Sequence, residues 1–304
     1  MGLKITKIER KIVPVLGVPV DSTTRARVLG EIETFLEISL KKGRSSSQGR
    51  LFIVTPNPEI VSLASEKPPL ASILHNASIS LPDGIGVVMA QRYLNLQTMR
   101  VPGLMHLVSL CSGLWVGLSA FIARDWLFSA GEVVPGRVVF EDLVGVASKK
   151  GLRVFLLGGK DGVAAQAAQK LKTGNLKLKI EAESGPVLTQ EGKPIKGQEG
   201  LEGDIISKIR EFEPDMLFVG FGAPKQEYWI SRNWDKLGGV RLVMTVGGAF
   251  DYISGVVPAV PGWVSSWGLE WLWRLATQPW RVKRIWNAVV VFPWRVFRWK
   301  VKKG

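Results

Sequence analysis

Six short apolar runs punctuate the chain: Leu51–Thr55, Ser78–Leu81, Arg153–Leu157, Leu178–Ala182, Met216–Gly220 and Leu242–Val246. Each closes on glycine or a polar turn and leads into a helical pattern. Apolar runs of this length predict strands buried on both faces. Helical patterns between them predict a mostly parallel sheet. The fold class is therefore α/β, Rossmann-like, with helices on both faces. In such sheets ligands bind beyond the carboxyl ends of the strands, and candidate chemistry is sought there. Ahead of the sheet, Val28, Ile32, Phe35, Leu36 and Leu40 recur at helical spacing within Thr24–Lys42, and the GRSSSQG stretch over 43–49 reads as a loop.

Two segments break this rhythm. From Val101 to Ala123 no residue carries a formal charge, and Leu104–Ala123 is apolar apart from His106 and three serines. Twenty such residues could span a bilayer, form a buried core helix, or lie as a hairpin in the membrane interface. Gly113, Gly117 and the serines weigh against spanning. At the other end, no acidic residue follows Glu270, whereas Trp271–Gly304 holds nine Lys/Arg, and eight of the twelve tryptophans fall between Trp263 and Trp299. Indole and cations interleaved on an amphipathic segment suit a bilayer interface, with indole at headgroup depth and cations on lipid phosphate. The plainer alternative is a helical tail that packs its tryptophans on the core. The expected organisation is a core over 1–255, with an apolar insert at about 104–134, and a basic Trp-rich appendage over 256–304.

Composition sharpens the choice of partner. Forty Lys+Arg against 26 Asp+Glu give a net charge of +14, which calls for an anionic partner: anionic lipid, a phosphate-rich substrate or nucleic acid. Nucleic acid fits least, because tryptophan is an uncommon choice for a phosphate-tracking surface. One cysteine, Cys111, excludes an intrachain disulfide, and with two histidines a His/Cys zinc site is not expected. Met1–Val20 lacks the apolar run of a signal peptide, which points to a cytoplasmic protein.

Five strand ends carry candidate chemistry. Thr55-Pro56-Asn57-Pro58-Glu59 reads as an N-cap followed by proline in the first helical turn, with Thr55 and Asn57 able to bond sugar hydroxyls. In Leu81-Pro82-Asp83-Gly84-Ile85-Gly86, Asp83 fits either a helix cap or a base that accepts a proton from an attacking hydroxyl. Leu157-Gly158-Gly159-Lys160-Asp161-Gly162 precedes a helix over Val163–Leu171, where backbone N–H groups could meet phosphate. The spacing is neither a dinucleotide fingerprint nor a P-loop. Gly220-Phe221-Gly222-Ala223-Pro224-Lys225-Gln226-Glu227 and Gly247-Gly248-Ala249-Phe250-Asp251 repeat the same grammar. Together they describe a polar rim of nucleotide size.

These motifs, with Gly268-Leu269-Glu270-Trp271-Leu272-Trp273-Arg274-Leu275 after them, occur in an order that resembles the WecG/TagA/CpsF glycosyltransferase family over roughly Lys11 to Arg284. The resemblance implies an inverting transfer, without metal or other cofactor, from a UDP-sugar, usually UDP-N-acetylmannosamine or its uronic acid. The implied acceptor is N-acetylglucosamine on undecaprenyl diphosphate, used in cell-surface polysaccharide or teichoic acid synthesis. It further implies a C-terminal appendage that docks on the membrane, and so an enzyme peripheral on the inner face of the cell membrane. By the same resemblance Asp83 is the general base, Thr55 and Asn57 contact sugar beside it, and Gln226 belongs to the donor site. Arg274, Arg281 and Arg284 match arginines that clamp diphosphate. Spacings of seven and three put them near one helical face, allowing for a break at Pro279.

Two departures stand out. A basic Lys/Arg-Ala-Pro turn usual in the family is here Val257-Pro258-Ala259-Val260-Pro261. A single passage through an Arg-Val-x-Gly turn into a helix is here interrupted by the apolar insert, which makes Arg100 and Arg137 rivals for one arginine position, with Arg100 preferred. The insert itself is expected to be an extra membrane-docking element. Other readings are a different UDP-hexose donor, a basic nucleic-acid-binding module, and a nicotinamide-dependent oxidoreductase. The last is disfavoured by the lack of Gly-x-Gly-x-x-Gly after the first core strand. Self-association is left open.

Overall fold

The computed structural model describes residues 6, 8–43, 49–97, 105–129, 131–160, 162–258, 260–262, 264 and 270–303, without the side chains of 105, 270, 271, 274, 280 and 303. A hairpin of β1 (Ile12–Val15) and β2 (Val18–Asp21) leads into α1 (Arg25–Lys42), capped by the Thr24 side chain. The main sheet then forms from β3 (Leu51–Val54), β4 (Ile79–Ser80), β5 (Arg153–Gly158), β6 (Lys179–Glu183), β7 (Met216–Gly220) and β8 (Leu242–Thr245). Their spatial order is β4-β3-β8-β7-β5-β6, and every pairing is parallel. The six apolar runs are these six strands.

Parity along the strands explains the two-sided burial. Phe52, Val54, Phe155, Leu157, Leu217, Val219 and Val243 point to one face. That face is covered by α2 (Pro58–Glu66), α3 (Pro68–His75), α4 (Ile85–Asn95), α9 (Glu199–Phe212) and α10 (Lys225–Asn233). Leu51, Ile53, Val154, Leu156, Met216, Phe218, Leu242 and Met244 point to the other, under α1, α7 (Gly136–Lys150), α8 (Val163–Gly174) and α11 (Ala249–Ser254). With apolar cover on both sides, β3, β7 and β8 read as nearly continuous apolar runs, whereas the edge strand β6, partly exposed, alternates as Lys-Ile-Glu-Ala-Glu.

At the amino edge a buried ion pair, Arg241 Nε to Asp215 Oδ1 at 3.1 Å, also engages the α1 carbonyl of Ser39 and ties β8 to α1. The carboxyl edge is built differently. Gly158 has φ +117° and lies where a Cβ would come within 2.7 Å of the Gly220 carbonyl carbon, so only glycine lets β5 and β7 end side by side there.

The insert folds as α5 (Met105–Ile122) and α6 (Arg124–Phe128). Val116, Ala120 and Leu127 join the core beneath, Tyr93 of α4 donates its hydroxyl to the Ser109 carbonyl, and Arg92 lies 4.2 Å from the Trp126 ring centre. Among the described residues no helix is long and apolar enough to cross a membrane. The C-terminal segment comprises helices Glu270–Thr277 and Val282–Trp286, separated by a tighter turn at Pro279–Arg281. A wide-turned stretch, Asn287–Val291, then leads into the helix Phe292–Lys303. Phe292 and Val296 are buried against the same core as Val116 and Ala120. Trp299 also packs there, whereas Trp286 and Trp294 are 60 % and 57 % exposed, so the segment both packs indoles on the core and presents them outward.

Candidate active site

The carboxyl ends of β3, β4, β8, β7 and β5 form one rim, and its parts are locked by main-chain bonds. The Asp83 amide donates to the Pro56 carbonyl at 3.2 Å, which fixes the turn after β4 to the turn after β3. The Gly159 amide donates to the Gly220 carbonyl at 3.0 Å, linking the ends of β5 and β7. Thr55 is buried and donates its hydroxyl to the Thr245 carbonyl on β8 at 3.5 Å. The first turn of α7 presses on it from the other face: a Cβ at Gly136 would lie 2.5 Å from Thr55 Cγ2. Thr55 therefore organises the rim between β3, β8 and α7.

Asn57 is the N-cap of α2, its Oδ1 accepting from the Glu59 and Ile60 amides at 3.0 Å each, with Pro58 in the first turn. The cap uses only the oxygen, and the Nδ2 group takes no part in it. Asp83 turns out not to be a cap. The N-cap position of α4 is held by Gly84 (φ 108°), one residue further on. The structural alternative to a chemical role for Asp83 is thus not the one realised.

Gln226, expected at the donor site, and Glu227 beside it are both buried. The Gln226 Oε1 accepts from the Gly247 amide at 3.1 Å and its Nε2 donates to Glu227 Oε1 at 2.9 Å. Both ends of this carboxamide are occupied in bracing the turn after β7 against the turn after β8. Glu227 is fully buried, and its Oε2 has no hydrogen-bond partner. Burial pushes its carboxyl up to about 7, offset in part by the Gln226 bond. A raised carboxyl pKa means the folded state holds a proton that the unfolded chain releases near its ordinary value of 4.5. Stability is then greatest below that value and declines as pH rises through about 7. Glu227→Gln is expected to remove this decline, a relative gain at pH 8 of order 3 kcal/mol from 1.36 kcal/mol per pKa unit. Urea unfolding of both proteins at pH 5 and pH 8 checks it, and parallel pH dependences would refute it.

The cationic side of the rim comes from distant sequence. Asp251, in the first turn of α11, is half-buried; burial raises its carboxyl pKa, while the charges of Lys160 and Arg281 pull it back. Arg281 thus stands within electrostatic reach of the turn after β8. Arg284 reaches the neighbouring turn after β3, where its Nε and Nη2 both donate to Glu59 Oε2, at 3.0 and 2.6 Å. The break at Pro279 divides the three expected arginines among separate elements: Arg274 on the Glu270–Thr277 helix, Arg281 closing the tight turn, Arg284 on the Val282–Trp286 helix. The Arg274 side chain and the whole of Arg100 lie outside the described residues. The rival Arg137 sits in the first turn of α7, paired with Glu141 at 2.8 Å and 5.9 Å from the centre of the Tyr252 ring.

Sequence reading missed the Arg284–Glu59 pair and the Asp251–Lys160–Arg281 grouping, although each residue lay in a segment already singled out. A separation of 225 positions between Glu59 and Arg284 leaves no local signal.

A parallel sheet with a polar rim at its carboxyl ends and a basic helical segment folded against it is an arrangement in which phosphate-bearing substrates bind, and the family match gives the class, a glycosyltransferase. The chain belongs to the Glycosyl transferase WecG/TagA/CpsF family, whose model matches residues 13–122 and 120–304. It is similar to the N-acetylglucosaminyldiphosphoundecaprenol N-acetyl-beta-D-mannosaminyltransferase of Bacillus subtilis (strain 168), 32 % identical over 77 % of this chain and 74 % of that protein. The Staphylococcus aureus (strain MRSA252) protein of the same name is 27 % identical over 95 % of this chain and 94 % of its own length.

Proposed function

We propose that this enzyme transfers N-acetylmannosamine, or its uronic acid, from a UDP-sugar to N-acetylglucosamine on undecaprenyl diphosphate, with inversion and without a metal ion. The acceptor hydroxyl attacks the anomeric carbon from the face opposite UDP. The bond from that carbon to the diphosphate oxygen breaks, its electron pair leaves with UDP, and the hydroxyl proton passes to Asp83. A carboxylate held at a strand terminus suits that role. Thr55 and Asn57 shape the sugar pocket beside it, Gln226 holds the donor-side turns in place, and Arg100 is assigned to substrate binding.

The observation that supports this reading best is the fold-back of the C-terminal segment, which brings Arg284 to Glu59 beside the end of β3, with the charge of Arg281 felt by Asp251 beside the end of β8. UDP gains negative charge as it leaves, and fixed guanidinium groups stabilise that charge without an ion. The Arg284–Glu59 pair is solvent-exposed on both sides, so its net worth is about 0–1 kcal/mol. Arg284 can therefore exchange Glu59 for a diphosphate at little cost. Arg274 is assigned to the same clamp. The names of the relatives place their acceptor on a polyprenyl carrier, and the basic Trp-bearing segment over 256–304 suits such a substrate. The enzyme then works peripherally on the cytoplasmic face, in cell-surface polysaccharide or teichoic acid synthesis.

The test is UDP release by purified protein given UDP-N-acetylmannosamine and a short-chain lipid-diphosphate-linked N-acetylglucosamine. Release is expected only with both substrates and unchanged in EDTA. Acceptor-independent release would overturn the transfer, and loss in EDTA would overturn the metal-independent mechanism.

A further inference from the structure

The helix α5 is packed inside out. Its inward side is made of Ser109, Val116, Ser119 and Ala120, all buried, with Gly113 against the Tyr93 ring. Its outward side carries the large apolar residues: Leu107 57 %, Leu110 47 %, Leu114 67 %, Trp115 45 %, Leu118 51 %, Phe121 53 % and Ile122 64 % exposed. These positions recur every three or four residues, so they form one stripe along an 18-residue helix about 27 Å long at a rise of ~1.5 Å per residue. A helix at an aqueous surface places its large apolar side chains inward, because burying each one removes apolar area from water. Here small and hydroxyl-bearing residues are inside, and a stripe of this size is left for something apolar to cover.

Charge around the stripe says what covers it. The described part of α5 holds no charged side chain. The helix packed beside it, Phe292–Lys303, bears Arg298 and Lys302 toward solvent along with Trp294, and no acidic residue follows Glu270. An apolar stripe next to exposed indole and cations matches a membrane surface, whose acyl boundary takes the leucines and whose phosphates take the cations. A second copy of the chain matches less well, since two copies meeting at α5 would bring their basic C-terminal helices toward each other at a net charge of +14 each.

We propose that α5 is an interfacial docking helix that lies flat in the lipid boundary of an anionic bilayer and anchors the enzyme there jointly with the C-terminal helix. This deepens the reading above, on which its enzymatic consequence rests: the anchor holds the carboxyl rim at headgroup level, where a lipid-linked diphosphate is found. The chain has one cysteine, Cys111, exposed on α5 beside the stripe, which allows a direct probe of the full-length protein. A nitroxide on Cys111 is expected to gain access to oxygen and lose access to a water-soluble nickel chelate when vesicles of phosphatidylglycerol and phosphatidylcholine are added. Leu114→Glu with Leu118→Glu changes two exposed positions, so the fold is expected to persist. The double variant should lose about tenfold or more in vesicle affinity, keep its turnover on a short-chain acceptor in solution, and lose turnover on the same acceptor embedded in vesicles.

Unchanged vesicle binding by the double variant would overturn the docking role. So would a wild-type dimer that the substitutions dissociate, with nitroxide–nitroxide coupling at Cys111 and no response to lipid. Should vesicle binding depend on α5 while no acceptor supports UDP release, docking stands and the transferase reading fails, so the two can be told apart.

Discussion

Asp83→Asn is expected to lower turnover by about two to four orders of magnitude, the usual contribution of a positioned general base, while UDP-sugar binding is retained. The substitution is isosteric, and the bond that fixes this turn runs from the residue 83 amide to the Pro56 carbonyl, which asparagine keeps. The N-cap position of α4 is Gly84 rather than residue 83, so the substitution leaves the cap residue itself unchanged. Retained donor affinity in the variant shows that the fold persists, and lost turnover then reports on chemistry. Steady-state turnover, with donor affinity by calorimetry, separates the two. Turnover near that of the wild type would remove Asp83 from the mechanism.

The second large effect is expected from Arg281→Ala. A guanidinium aimed at charge that appears only as UDP departs acts on the transition state, and deleting one such donor costs about a hundredfold in turnover. The same substitution has a separate reporter. Asp251 is raised by burial and held back by Lys160 and Arg281, so removing Arg281 leaves Lys160 alone and the Asp251 pKa climbs further. The pH below which Asp251 carries a proton moves upward, and an acid limb of the rate profile that depends on its anion moves with it. Arg281→Lys restores the charge without the planar fork and should recover part of the rate with most of the Asp251 shift reversed. Arg284→Ala removes another arginine of the clamp and should also lower turnover, but with the titration of Asp251 unmoved, since the charges acting on that carboxyl are those of Lys160 and Arg281. Turnover unchanged in Arg281→Ala, with the titration of Asp251 unmoved, would exclude the clamp.

Both experiments act on residues that local sequence could single out but not place. Asp83 illustrates the difference. Its position between a strand and a glycine-rich helix start allowed a cap or a base, and one backbone geometry, Gly84 at φ 108° in the cap position, separates them. Gln226 shows the reverse. Its neighbourhood of lysine and glutamate looked like a ligand-facing run, yet its carboxamide turns inward to the Gly247 amide, 21 positions away. Polarity at a strand end says that a hydrogen-bond partner is needed, and a backbone amide satisfies that need as well as a sugar does.

Sequence alone determined the layered architecture and the charge of its tail. A strand buried on two faces is apolar at nearly every position, and a segment with nine Lys/Arg and no carboxylate is cationic wherever it lies. Tertiary structure decided what those properties are used for. It carried Arg284 back to Glu59 beside the end of β3, a contact between distant residues that depends on how the break at Pro279 redirects the chain. It also chose which side of α5 faces out, because apolar content is the same whichever way a helix is rolled, and only packing against Tyr93 and Phe292 turns the serines inward and the leucines outward.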